Sequence, residues 1–64
     1  VNKLKRARVL ADMSQQQLAD MSGISLYRIQ VIERDWHVPR PDEVKVFAKV
    51  LNVKQNELTE KGEK

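Results

Sequence analysis

The 64-residue chain contains no cysteine, so neither a disulfide nor a thiolate metal cage can hold it together. Its one histidine, His37, cannot build a zinc site alone. Apolar runs are short, none near the ~20 residues that span a bilayer, and nothing at the start reads as a signal peptide. No membrane partner is therefore expected. Aromatic residues are scarce, with Tyr27, Trp36 and Phe47 the full set, so packing must rest on aliphatic side chains. The length allows one small domain spanning 1–64, and a chain this size buries roughly 60% of its unfolded surface. That excludes large α/β enzyme scaffolds and two-domain clefts. There is no Ser–His–Asp set, no glycine-rich phosphate loop and no room for a deep pocket. The expectation is a protein that is not an enzyme, with no cofactor, no metal site and no small-molecule ligand.

What is present is charge of one sign in one half. The net charge is +3. Residues 1–40 hold Lys3, Lys5, Arg6, Arg8, Arg28, Arg34 and Arg40 against Asp12, Asp20, Glu33 and Asp35, whereas residues 41–64 are balanced. An excess placed this way points to an anionic partner.

Only two glycines and two prolines interrupt the chain, so helices are permitted almost everywhere. Leu4, Ala7 and Ala11 recur at helical spacing over 3–12, with Asn2 placed to cap. Ser14 and Gln17 form a capping-box pattern ahead of a second helix carrying Leu18 and Ala19, which Ser22-Gly23 stops. Ser25 caps a third helix whose inner side is marked by Ile29 and Ile32. Pro41 suits the first turn of a fourth, with Asp42 and Glu43 complementing its dipole. Val44, Phe47, Ala48 and Leu51 are its core stripe. Asn52 suits a left-handed stop, and Val53 and Leu58 anchor a short fifth helix near 54–60. Residues 61–64 read as a frayed tail. The expected fold is an all-α, compact bundle of five short helices.

Residues 15–34 carry the functional signal. Ala19 is small where two helices cross, Gly23 turns the chain where a Cβ would clash, and Ile24, Ile29 and Ile32 lock the third helix to the second. This is the pattern of a helix-turn-helix at the second and third helices, whose later helix enters the DNA major groove.

The ordered text Leu4-Lys5-Arg6-Ala7-Arg8, Met13-Ser14-Gln15-Gln16-Gln17-Leu18-Ala19, Gly23-Ile24-Ser25, Ile29, Ile32-Glu33, Pro39, Phe47-Ala48, Leu51, Val53 and Leu58 resembles the lambda-repressor/Cro-like (XRE-like) helix-turn-helix regulators. The resemblance covers about residues 4–58. It implies a salt bridge between Arg8 and Glu33 that ties the first helix to the third. It also implies that Gln15 contacts phosphate and braces the recognition helix, which it places at 25–34. It further implies a sequence-specific, double-stranded DNA-binding transcriptional regulator, cytoplasmic and bacterial or phage-encoded. Asp12 and Asp35 depart from the family pattern, which often has glycine there.

With Ile29 and Ile32 turned inward, the opposite arc holds Leu26, Tyr27, Gln30, Val31 and Arg34, flanked by Ser25 and Arg28. Arg28 suits guanine, Gln30 adenine or phosphate, and Leu26, Tyr27 and Val31 thymine methyls. Arg34, Arg40, Gln15 and Ser25 suit phosphates. Plainer readings stand beside these: Leu26 and Val31 as a surface apolar pair, Tyr27 on the helix flank, Arg28 as a solvated charge. Trp36, Val46 and Val50 form a candidate protein interface, within this chain's own homodimer or with another protein partner. The expected mode is a dimeric repressor on a pseudo-palindromic operator. The alternative is a protein-interaction or antitoxin-like module on the same scaffold.

Overall fold

Four α-helices follow one another through residues 2–59, the residues that the structure, a computed structural model, describes. They are α1 (Lys3–Leu10), α2 (Gln15–Ser22), α3 (Leu26–Glu33) and α4 (Pro41–Leu51). One 3-10 turn at Gln55–Glu57 stands where a fifth helix was expected. Both flanks of that turn are anchored: Val53 packs on the core, Leu58 is buried within it, and the few residues between have length for a single tight turn. The tail expected at 61–64 lies outside the described residues.

Local chemistry sets each helix start. The Asn2 side chain accepts from the Lys5 N–H at 3.1 Å, and the Ser25 hydroxyl oxygen accepts from the Arg28 N–H at 3.1 Å. Ser14 and Gln17 exchange two bonds, Gln17 N–H to Ser14 Oγ at 3.0 Å and Ser14 N–H to Gln17 Oε1 at 2.8 Å. Pro41 opens α4, where its missing N–H costs nothing.

Left-handed residues set the stops: Asp12 (φ 60°), Gly23 (φ 74°), Asp35 (φ 63°) and Asn52 (φ 59°). At α1 and α3 the chain closes in the same way. Asp12 N–H donates to Val9 O and Met13 N–H to Arg8 O, while Asp35 N–H donates to Ile32 O and Trp36 N–H to Val31 O. This is the paired bonding of a Schellman motif. Gly23 is a correction to the expectation of a steric clash. A Cβ there would meet nothing within 4 Å, so its positive φ alone makes the demand.

The core gathers Leu4 and Ala7 from α1, Leu18 and Ala19 from α2, Ile29 and Ile32 from α3, Val44, Phe47, Ala48 and Leu51 from α4, and Leu58. Val50, a member of the candidate protein interface, is half-buried and packs against this core. Val9, Leu10 and Val46 are exposed.

Candidate nucleic-acid interface

The back of α3 is held by two carboxylates. Glu33, at its last turn, receives Arg8 Nε at 2.7 Å, Arg8 Nη2 at 3.2 Å and Gln15 Nε2 at 3.0 Å. Arg8 Nη1 also donates to the Met13 carbonyl at 2.7 Å. One buried acid thus binds α1, the start of α2 and α3 into one unit. Among the described residues no buried side-chain nitrogen or oxygen lacks a partner. Gln15 spends one amide N–H on Glu33 and keeps the other for a ligand, so bracing α3 and contacting a phosphate are compatible.

Glu43, in the first turn of α4, receives Arg28 Nε at 2.7 Å and Arg28 Nη2 at 3.0 Å. It also accepts the Arg40 N–H at 2.8 Å. Arg28 Nη2 donates to the Val38 carbonyl at 3.2 Å as well. This corrects the expectation that Arg28 reads guanine. Its guanidinium fork is already filled by a carboxylate, and it joins α3 to α4 and to the 35–40 loop. Sequence reading missed the pair because it took Glu43 only as a charge at the helix dipole. The available signal was an arginine near the start of one helix and a glutamate in the first turn of the next, which adjacent helices can bring together.

Burial pushes the Glu43 carboxyl up, but the hydrogen bonds from Arg28 and the Arg40 N–H, with both positive charges, outweigh it and hold the group below the usual range. Arg28 is held above its ordinary value, chiefly by its hydrogen bond to Glu43. A carboxylate lowered on folding adds stability that is complete above its unfolded value of ~4.3 and is lost as pH falls through the folded one. In urea melts from neutral to acid pH, the stability gap between the native chain and Glu43→Gln is expected to be constant near neutrality and to close below about pH 4. A gap that stays constant into acid would mean that the ionised carboxylate is not its source.

Val31 is the second correction. It was expected to pack on thymine methyls, yet it is 2% exposed. Its carbonyl accepts from Trp36 N–H at 3.0 Å and His37 N–H at 3.4 Å, so the loop after α3 folds back over it. In a Schellman motif these two positions commonly make an apolar contact.

Tyr27, Gln30 and Arg34 remain outward on α3, spaced three and four residues apart and so in one line along the helix. Tyr27 is 68% exposed. Gln30 is half-buried and Arg34 exposed, with its guanidinium 5.1 Å from the centre of the Trp36 ring. Ser25 is exposed at the N-terminal end. Leu26 is half-buried and packs against the core, which turns part of it away from the reading edge. Arg40 lies exposed just before α4. Of the candidate protein-contact set, Trp36 belongs to the end of α3, while Val46 and Val50 are on α4.

Among the described residues no group of three His, Cys, Asp or Glu side chains is placed to hold a metal ion, and no helix is long and apolar enough to cross a membrane. A family model described as helix-turn-helix matches residues 4–58. No curated protein and no solved structure gives a significant match.

Proposed function

The chain belongs to the lambda-repressor-like (XRE-like) helix-turn-helix family and is a DNA-binding regulator, and from that premise we propose that it is a repressor acting as a dimer on a pseudo-palindromic operator. The observation that carries this reading is the exposed line Tyr27, Gln30 and Arg34 on a helix whose back is fixed by the core and by two ion pairs. Tyr27 and Gln30 face base edges. Ser25, with the free end of α3 behind it, and Arg34, Arg40 and Gln15 face phosphates. Leu26 offers a partial apolar contact at the rim. One chain supplies one short recognition helix, which is less interface than specific DNA binding at physiological salt needs. Two copies on half-sites one helical turn apart supply it, and occupancy of promoter DNA then blocks transcription. The reading implies a cytoplasmic protein, bacterial or phage-encoded.

In-vitro selection of duplex DNA followed by titration tests the reading. A dimer neutralising roughly three phosphates per protomer gives a log–log salt slope near about −5. Tyr27→Ala and Gln30→Ala are each expected to relax the base preference at one position per half-site and to weaken the selected duplex about tenfold. Arg40→Ala should weaken all duplexes alike and reduce the slope by about one unit. Selection that returns no enriched sequence would refute the reading. The second reading, a protein-interaction or antitoxin-like module, is favoured by the exposed Trp36, Val38 and Val46. A module that binds protein alone predicts no enrichment from the same pool, whereas an antitoxin-like role would combine both activities.

A further inference from the structure

We propose that Trp36 is part of the DNA-reading surface, where its ring replaces the covered Val31 as the apolar contact and holds the Arg34 guanidinium in place for a phosphate. This inference rests on α3 being the recognition helix. At 100° per residue, Val31 lies about 40° to one side of Tyr27 around the helix and Arg34 about 20° to the other. Val31 therefore belongs by direction to the outward arc, yet it is buried, and the loop after α3 returns to its carbonyl. The residue that returns there is Trp36, whose N–H is bonded to the Val31 carbonyl at 3.0 Å. On the other side its ring meets the Arg34 guanidinium at 5.1 Å, within cation–π range. The backbone of Trp36 is thus fastened at Val31 and its ring lies against Arg34, at the C-terminal end of the reading edge.

Placed in this way, the side chain is still 65% exposed. A large ring left in water beside a cation and in line with Tyr27 offers an apolar surface to a thymine methyl or a deoxyribose, next to a charge that suits the adjoining phosphate. The stack also limits the rotamers of Arg34, so less freedom is lost when that guanidinium meets DNA. Arg40 follows four residues later. Its N–H is fastened to Glu43, the carboxylate that also holds Arg28 and, through Arg28, the Val38 carbonyl. The backbone of the 35–40 loop is therefore secured at both ends, and the Arg34 stack orients the ring upon it.

Trp36 is the sole tryptophan, so emission excited at the long-wavelength edge of its absorption, beyond that of Tyr27, reports on it alone. The native chain is titrated with a duplex from the selected pool, and a fluorescein-labelled copy gives binding independently by anisotropy. The expected result is a saturable change in Trp36 emission with the same midpoint as the anisotropy, together with weaker quenching by acrylamide. Trp36→Ala, checked for helix content, should bind the duplex about tenfold more weakly, with Trp36→Phe in between. Anisotropy that reports binding while emission and quenching stay unchanged overturns the inference and leaves α3 as the reader. Emission that changes with protein concentration in the absence of DNA overturns it in favour of contact between protein copies. If anisotropy shows no binding to any selected duplex, the recognition-helix reading falls and the inference falls with it.

Discussion

Glu33→Ala is expected to lower the unfolding free energy by about 3 kcal/mol, because it strips a buried carboxylate from groups that have no other source of negative charge. The Glu33 side chain is 3% exposed and Arg8 is 11% exposed. Alanine would leave Arg8 with one carbonyl, that of Met13, and Gln15 with an empty amide. A core of this size supplies only about 3–5 kcal/mol in total, so at most about 2 kcal/mol would remain, and at the lower end about half of the molecules would be unfolded at 25 °C. Replacing both partners by apolar residues, Arg8→Met with Glu33→Leu, removes the orphaned charge and should recover most of the loss. Urea melts followed by circular dichroism make the comparison. A single-variant loss below about 1 kcal/mol would show the pair to be screened like a surface bridge.

Phe47→Ala carries the other large effect, about 3–5 kcal/mol. Phe47 is 1% exposed and is the largest of the fully buried side chains. With Tyr27 and Trp36 both outside, it is the only aromatic ring in the core. No neighbour can fill the space, because the facing residues are aliphatics on helices already fixed by caps and ion pairs. The expected observation is loss of a cooperative thermal transition, with residual helix content. Phe47→Leu should keep the transition at a lower midpoint. A cooperative melt for Phe47→Ala close to the native midpoint would contradict the central place given to this ring.

The helices were legible because their signals are local. Ser14 and Gln17, Ser25, Pro41 and the Val44–Phe47–Ala48–Leu51 stripe each act within one or two turns, and period and capping chemistry are written at that range. Asn52 was legible as a stop for the same reason. What escaped was set between elements. Arg28 reads as a free cation until α4 brings Glu43 beside it. Val31 reads as outward by angle, yet it is buried where the loop closes at Asp35. Val50 sits at the edge of its stripe, where one neighbouring side chain decides between core and water. The last helix shrank to a turn because Leu58 had to return to the core. The membership of the candidate site was thus revised wherever a long side chain or a loop reached across.

That revision divides the labour within α3. Ile29, Ile32 and Glu33 are spent on the scaffold, and Arg28 and Val31 have been drawn into it. Tyr27, Gln30 and Arg34 make no side-chain hydrogen bond to the rest of the chain among the described residues. On the proposed reading, retargeting can therefore proceed at Tyr27 and Gln30 without taxing an already thin thermodynamic margin. A lineage built on such a helix would be free to change the address it recognises while the body that carries it stays the same.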